Sequence, residues 1–335
     1  MGQQQSHHLC NESKKYANQV AKYELLSKIS ITQPELCQAI AISQDNQLVV
    51  AACNTAIKVF DFSKEVLKPI VVLNEHSGYV DTLIFMHQSN SFISSSSDNS
   101  IIIWSRTSDQ KYISQQKLFG HTYYIRCLIL NIEDNLIISS GCDNTIRIWK
   151  MDKDWKCQQI IADHSNWVFA LSLEESSNTL ISCGHDKFIL IFRYSKEHNL
   201  WIQIQRIQTE TGGFRLSFTS ENCFSFQPLQ KGLLSFFIIN DKTQLYQKKY
   251  DLQINGCEED VCYFPLQYLH KQQILIAKNG CSINILKKDE TQQFKLDHSI
   301  KFQHNSLFGS MSSNGYYLIT WDNQQKQLQV RKAIE

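Results

Sequence analysis

Short apolar runs separated by polar turns recur along the chain, and residues 167–207 show them most clearly. Four such runs lie within this segment, at residues 167–173, 179–184, 188–194 and 201–207. Each run is rich in β-branched and aromatic residues and is bounded by polar turn residues, which is typical of β-strands. The pattern therefore predicts a four-stranded antiparallel meander, in which each strand pairs with the next one along the chain.

A polar set with fixed spacing repeats three times in and before this segment. In every copy a His precedes an Asp by 22 positions, a Ser precedes the same Asp by 4, and an aromatic residue follows it by 6. The copies start 45 and then 43 positions apart, a period that is typical of four-stranded propeller blades. The three copies are His76, Ser94, Asp98 and Trp104; His121, Ser139, Asp143 and Trp149; and His164, Ser182, Asp186 and Phe192.

This polar set resembles the repeat of the WD40-repeat β-propeller family, and the resemblance is strong within residues 76–192. It implies an all-β fold, a seven-bladed β-propeller of four-stranded antiparallel blades. In that family the Asp lies in the turn between the second and third strands and hydrogen bonds the His of the preceding loop. The His contacts the Ser, and the Trp or its substitute ends the chain of contacts. Because a buried imidazole and carboxylate are costly unless paired, we expect these residues to be structural.

Outside these repeats the chain matches the family by period more than by residue type. The first blade has Asn54 and Phe60 where the Asp and the Trp belong, and the fifth and sixth blades lack the polar set. Ser and Lys follow Trp104 and Trp149, so the Trp-Asp dipeptide of the family is missing there. The dipeptide at residues 321–322 falls instead at the end of a predicted second strand.

The two ends of the chain are predicted to complete one blade together. Three strands without a fourth are predicted at residues 306–312, 316–320 and 328–332. Residues 24–31 are predicted to supply the fourth as one strand, which removes two open sheet edges. At 43 to 45 residues per copy, residues 24–332 hold seven blades. We therefore expect a flexible tail at residues 1–23 and a propeller at residues 24–335.

Candidate partner-binding residues follow each of the three histidines. Side chains three and five positions after the His should share one side of the innermost strand, because the side-chain period of a strand is two. The resemblance places them on the narrow face around the central channel, where WD40 propellers bind peptides or partner proteins. Tyr, Trp and Arg are also frequent in binding hot spots. Alternatively, these side chains cap the core between blades and are mostly buried. The six residues are Tyr79, Asp81, Tyr124, Arg126, Trp167 and Phe169.

The function expected from this pattern is a non-catalytic scaffold whose top face binds a peptide or protein partner within a larger complex. Residues 148–150 and 154–157 are faintly similar to the WD40 adaptors of cytosolic iron-sulfur assembly, which gives one alternative. A propeller enzyme acting at the channel mouth is another, and a cluster of perturbed acids or a metal in the channel would favour it. No carboxylate pair, Ser/His/Asp arrangement or phosphate-binding Gly run is placed to face inward. We therefore expect no enzyme, cofactor or metal, and a solvated loop at the acidic run 258–260.

Composition narrows the partners and the compartment. The formal net charge of +1 offers no basic face, so no nucleic acid partner is expected. The chain has 11 cysteines without a CxxC pair, and Cys257 and Cys262 are the nearest two. They are expected to be reduced thiols in a reducing compartment. With neither a signal peptide nor a long apolar span, the sequence indicates a cytoplasmic protein.

The N-terminus carries an acylation pattern. Met1-Gly2 followed by Ser6 fits N-myristoylation of Gly2, and Cys10 could carry a second acyl chain. Because one myristoyl chain holds a protein on a membrane only marginally, the second signal matters. This interpretation predicts peripheral contact with a membrane surface. The alternative is a polar tail that starts with Gly by coincidence.

Overall fold

The computed structural model describes residues 22–229, 231–257, 259–260 and 264–334. This part begins with β1 (Lys22–Leu25), a short 3₁₀ turn (Ser27–Ile29) and β2 (Ile31–Thr32). Residues 1–21 of the predicted tail, including Gly2 and Cys10, lie outside the described residues, so the acylation stays a prediction. Lys22 and Tyr23, which the sequence placed in the tail, are the first residues of β1. Within the described residues no helix is long and apolar enough to cross a membrane.

The strands that follow form antiparallel sheets in chain order, and each sheet is one blade. Blade 1 contains β3 (Ile40–Ile42), β4 (Leu48–Cys53), β5 (Ala56–Asp61) and β6 (Lys68–Leu73). Blade 2 contains β7 (Val80–Phe85), β8 (Phe92–Ser96), β9 (Ser100–Arg106) and β10 (Tyr112–Phe119). Blade 3 contains β11 (Ile125–Leu130), β12 (Leu136–Gly141), β13 (Ile146–Met151) and β14 (Trp155–Ile161). Blade 4 contains β15 (Val168–Leu173), β16 (Thr179–Gly184), β17 (Phe188–Ser195) and β18 (Leu200–Gln208).

The remaining strands complete seven blades. Blade 5 contains β19 (Gly213–Ser220), β20 (Cys223–Pro228), β21 (Leu233–Ile239) and β22 (Tyr246–Gln253). Blade 6 contains β23 (Gln267–Leu269), β24 (Ile274–Asn279), β25 (Ser282–Lys288) and β26 (Phe294–Lys301). Blade 7 contains β27 (Leu307–Met311), β28 (Tyr317–Asp322) and β29 (Gln327–Ile334), completed by β1. The prediction of an all-β, seven-bladed propeller is confirmed.

The N-terminal segment closes the ring as predicted, but as two strands. β1 pairs with the end of β29, from Lys22 with Ile334 to Leu25 with Arg331, and β2 pairs with its start, Ile31 with Leu328. The prediction of one continuous strand at residues 24–31 is wrong. Between the two pairings the register shifts by three residues, which loop out as the 3₁₀ turn.

Apolar layers between neighbouring blades form the core, since each sheet packs against the next. One such layer, between blades 2 and 3, contains Ile93, Ile101, Ile137 and Trp149, all buried. The first strands surround a central channel with a cavity of about 490 Å³. We call the end of the ring that carries the leading loops, each entering a first strand, the upper face. The turns between second and third strands lie on the same face, because consecutive strands are antiparallel.

Glutamine side chains join the outermost strands of blades 2 to 5. Gln116 Nε2 donates to the Trp155 carbonyl, and the Trp155 N–H donates to Gln116 Oε1, both at 2.9 Å. Gln159 makes the same two bonds with Trp201, and Gln205 makes them with Tyr246, all at 2.8 Å. Each amide therefore satisfies backbone groups on an edge strand of the next blade, which would otherwise face solvent unpaired.

Candidate functional site

The repeated polar set forms a chain of hydrogen bonds beneath the upper face. In blade 3 the Trp149 indole Nε1–H donates to Ser139 Oγ at 2.8 Å, and His121 Nε2 lies 2.7 Å from the same oxygen. His121 Nδ1 lies 2.8 Å from Asp143 Oδ2. Because the indole can only donate, the Ser139 oxygen accepts from it, and we assign the Ser139 O–H as the donor to His121 Nε2. The imidazole proton is then on Nδ1, which donates to Asp143. All three bonds then run in one direction, from the Trp to the Asp.

Blades 2 and 4 repeat this arrangement with one difference. In blade 2 the Trp104–Ser94, His76–Ser94 and His76–Asp98 distances are 2.8, 2.7 and 2.9 Å. In blade 4 the His164–Ser182 and His164–Asp186 distances are 2.8 and 2.7 Å. Phe192 has no N–H, so the chain there starts at the Ser. Three consecutive leading loops are thus tied to the turns of their own blades.

The aspartates also fix the backbone just after each histidine. Asp143 Oδ2 accepts the Thr122 N–H at 3.1 Å, and Asp98 and Asp186 accept the equivalent N–H groups of Ser77 and Ser165. Burial opposes ionisation of Asp143, but the hydrogen bond from His121 and the backbone N–H groups hold its pKa well below the ordinary value. The carboxylates therefore stay charged and hold the leading loops in place.

The aromatic residue three positions after each histidine is exposed on this fixed loop. The exposed fractions are 50% for Tyr79, 36% for Tyr124 and 43% for Trp167. Their carbonyls accept backbone N–H groups from the turn of the same blade, at 2.8, 2.8 and 2.9 Å. Gly184 permits this approach in blade 4, because an added Cβ would lie 2.0 Å from the Trp167 carbonyl oxygen. The three rings thus project from equivalent places on three consecutive blades.

Two further exposed aromatics lie on the same face and were not predicted. Phe119 ends β10 where that strand reaches the upper face, and Tyr123 stacks on Tyr124 with ring centroids 4.3 Å apart. A usable signal was present, since both lie within two residues of His121 in the sequence. We call Tyr79, Phe119, Tyr123, Tyr124 and Trp167 the aromatic patch.

The residues five positions after each histidine do not share the exposure of the patch. Asp81 and Phe169 are only 4% and 9% exposed, and with Arg126 they line the channel. The expectation of one exposed rim is therefore wrong for Asp81 and Phe169. The cause is a β-bulge at each of these positions, since the register with the second strand shifts there in all three blades. A bulge breaks the two-residue alternation on which the prediction depended.

Asp81 and Arg126 form an ion pair at the channel wall. Arg126 Nη1 lies 3.6 Å from Asp81 Oδ1, and Ser97 Oγ donates to Asp81 Oδ2 at 2.7 Å. Burial raises the pKa of Asp81 to about 6, although Ser97 and Arg126 oppose the shift. The Arg126 guanidinium also lies 5.4 Å from the centroid of the Tyr124 ring. The channel charge and the aromatic patch are therefore in direct contact.

A second charged cluster lies between blades 5 and 6. Arg215 Nη1 lies 2.6 Å from Asp260 Oδ2, and Lys278 Nζ also bonds the Asp260 carboxylate. All three side chains are buried, so the expectation of a solvated loop is wrong for Asp260. Burial, followed by the Arg215 charge, lowers the pKa of Lys278 to about 8. Sequence reasoning missed the cluster because the three residues belong to different strands and loops.

No group of three or more His, Cys, Asp or Glu side chains in the described ranges is placed to hold a metal ion.

Three segments of the chain match the family model of the WD40 repeat, described as WD domain, G-beta repeat. They are residues 67–105, 113–150 and 155–193. The chain is a seven-bladed propeller that contains these three WD40 repeats. Each matched WD40 segment begins within one residue of, or inside, the fourth strand of one blade and ends in the third strand of the next, so the repeats link blades 1 to 4. No curated protein matches the chain.

Proposed function

We propose that this WD40 propeller is a non-catalytic interaction scaffold that binds a peptide or protein segment on the upper face of blades 2 to 4. The observation that supports it most is the equivalent placement and exposure of Tyr79, Tyr124 and Trp167. WD40 propellers typically mediate protein–protein interaction, which gives the general class. The aromatic patch gives the proposed place.

The physical chemistry of the patch favours a protein partner. Tyr and Trp provide large contact areas with few rotatable bonds, and they dominate binding hot spots. The leading loops beneath them are already fixed by the His–Asp contacts, so little ordering entropy is lost on binding. With 36% to 69% of each of its residues exposed, the patch fits binding better than a role in capping the core.

The charged groups of the channel favour a scaffold over an enzyme. Asp81 has a raised pKa, as a catalytic acid often does, but it is held by Ser97 and by the Arg126 guanidinium. Asp260 is likewise held by two cations. Burial explains the raised pKa of Asp81, and the two cations explain the lowered pKa of Asp260, so neither shift requires a catalytic role.

Substitution of two patch residues tests the proposal. A Tyr124→Ala/Trp167→Ala variant should lose captured partners at least tenfold in quantitative affinity purification, while its circular dichroism spectrum and melting temperature stay close to those of the wild type. The matched control is Ile160→Ala/Ile202→Ala, which removes two apolar side chains that are at least as exposed, from the outer strands of blades 3 and 4.

Two outcomes would contradict the proposal. If the patch variant retains the same partners as the control, another surface binds them. If the patch variant unfolds, the rings contribute to the core. If the patch variant instead stays folded and loses partners, overlapping peptides that span each lost partner should bind the purified wild-type protein directly.

The iron-sulfur assembly adaptor stays a prediction, and the same experiment distinguishes it, because its captured partners would be iron-sulfur targeting proteins. The stretch at residues 154–157 gives it little added support. Trp155 in that stretch is buried, and its backbone bonds Gln116, so packing between blades explains it.

A further inference from the structure

Two cysteines that are distant in the sequence meet on the upper face of blade 6. Cys257 lies in the leading loop between β22 and β23, and Cys281 lies in the turn between β24 and β25. The Cys257 sulfur packs against Gly280, where an added Cβ would lie 2.2 Å from it. Because Cys281 directly follows Gly280 in the chain, the two cysteines lie side by side. The sequence pairs Cys257 most closely with Cys262, whereas the fold pairs it with Cys281.

The position of this pair in the blade is informative. In blades 2 to 4 the His–Asp contact joins the leading loop to the turn between the second and third strands. Blade 6 lacks that polar set, and Cys257 and Cys281 join the same loop and turn. The two cysteines therefore lie where the His–Asp contact fixes the leading loop in blades 2 to 4.

We infer that Cys257 and Cys281 form a reversible disulfide that ties the leading loop of blade 6 to its turn. The oxidant belongs to the class of small disulfides, such as glutathione disulfide. The Cys257 thiolate attacks one glutathione sulfur, which forms a mixed disulfide and releases one glutathione thiolate. The Cys281 thiolate then attacks the Cys257 sulfur and releases the second. Two protein thiols are oxidised to one disulfide, and one glutathione disulfide is reduced to two thiols.

The surroundings of the two cysteines permit their oxidation but make it slow. Cys257 is exposed and Cys281 is partly exposed, so a small oxidant can reach the loop. Burial of the sulfur, the Cys281 thiol and the charge of Asp260 raise the pKa of Cys257, although the Cys281 backbone N–H opposes the shift. Since the thiolate is the reacting form, equilibrium in a redox buffer is a better measure than the rate.

Oxidation would act on the charged cluster between blades 5 and 6. Asp260 lies three residues after Cys257 in the leading loop, and its carboxylate pairs with Arg215 on β19 and Lys278 on β24. Arg215 lines the central channel. A disulfide would therefore fix the loop that carries Asp260, the counter-ion of Arg215 at the channel wall. The Cys257 thiol would lose its hydrogen bond to the Glu259 carbonyl.

The chain contains a matched control pair in blade 1. Cys37 lies in the leading loop, and Cys53 ends the second strand just before the turn that corresponds to the one holding Cys281. Both are buried, and burial raises the pKa of Cys37 well above its ordinary value, with Cys53 as the next cause. In the folded protein this pair should stay reduced under conditions that oxidise the pair in blade 6.

The test is to equilibrate the folded, full-length protein with glutathione disulfide, quench the exchange with acid, alkylate the free thiols after unfolding and map the peptides by mass. We expect a cross-linked peptide pair that contains Cys257 and Cys281 and has lost two hydrogens, and it should return to free thiols in excess reduced glutathione. Cys37 and Cys53 should be alkylated throughout. The Cys281→Ser variant should stop at a glutathione adduct on Cys257, whereas Cys262→Ser should still form the cross-link.

Two results would overturn the inference. One is a glutathione adduct that persists on Cys257 in the wild type, which would show that Cys281 cannot reach it. The other is a Cys257 cross-link to Cys262, which lies outside the described residues.

Discussion

In blades 2 to 4 a single imidazole holds a loop, a strand and a turn together. His121 is buried, and its two nitrogens are used completely, one by Asp143 and the other by Ser139. A buried polar group costs about 1–3 kcal/mol when its partner is removed, so each member of the chain depends on the others. Removal of the carboxylate charge should therefore lower the free energy of unfolding rather than the affinity for a partner.

The first prediction concerns Asp143→Asn, which keeps the shape and removes the charge. We expect a loss of about 1.5–3 kcal/mol in the free energy of unfolding at pH 7, the range for hydrogen bonds to charged groups. Asp143 has a lowered pKa, so its contribution is complete above the unfolded value of 3.8 and is lost as pH falls toward the folded value. Urea unfolding at several pH values should therefore show a constant difference from wild type between pH 7 and 5, and a shrinking one below 3.8.

The control for this prediction is Asp163→Asn, at an exposed Asp that precedes His164. Its free energy of unfolding should stay within about 0.5 kcal/mol of the wild type, as for most surface substitutions. A difference for Asp143→Asn that persists undiminished at low pH would show that shape, and not charge, makes the contribution.

At the residue scale, spacing predicted the members of the polar set and their exposed aromatic neighbours, because these depend on positions within one blade. Burial of Asp81, Phe169 and Asp260 could not be predicted in the same way. The first two depend on a bulge that has no residue signature here. Asp260 depends on Arg215, which is 45 positions away and in a different blade.

At the scale of strands, the pattern of apolar runs was a good guide within the repeats. The predicted second strand of blade 4 agrees with β16, and the other three strands of that blade agree within one residue at each end. The pattern failed at residues 24–31, where the partner strand β29 requires three residues to loop out. Local periodicity does not determine the register of a strand against a partner that is distant in the sequence.

The glutamine side chains that join the outermost strands of neighbouring blades give the next prediction. Gln159→Ala removes two hydrogen bonds between β14 and β18 and should lower the free energy of unfolding by about 1–3 kcal/mol. The neighbouring Gln158→Ala is the matched control, because Gln158 is exposed on the same strand. Equal stabilities of the two variants in urea unfolding would mean that water replaces the amide without cost.

At the scale of the whole molecule, closure depends on the pairing of two chain ends that are about 300 residues apart, and loop-closure entropy opposes such contacts. Contacts beyond the β1–β29 ladder reinforce it. Tyr23 donates to the Gly315 carbonyl at 2.7 Å, and the Trp321 indole donates to the Gln33 carbonyl at 2.8 Å. Gln33 in turn bonds the Ala52 carbonyl of blade 1 at 2.7 Å, which joins blade 7 to its neighbour.

Deletion of residues 1–25 tests the closure directly, because it removes β1 and leaves residues 331–334 of β29 as an open edge, while β2 still covers its start. We expect the melting temperature to fall by roughly 5–10 °C through the lost hydrogen bonds and ring contacts. The open edge should also pair with a second copy, which size-exclusion chromatography would detect as dimers or larger species. Deletion of residues 1–21 is the matched control, since it keeps β1 and should preserve both the melting temperature and the monomer. If the two deletions behave alike, the pairing of β1 with β29 contributes nothing to the ring, and β2 alone is enough to close it.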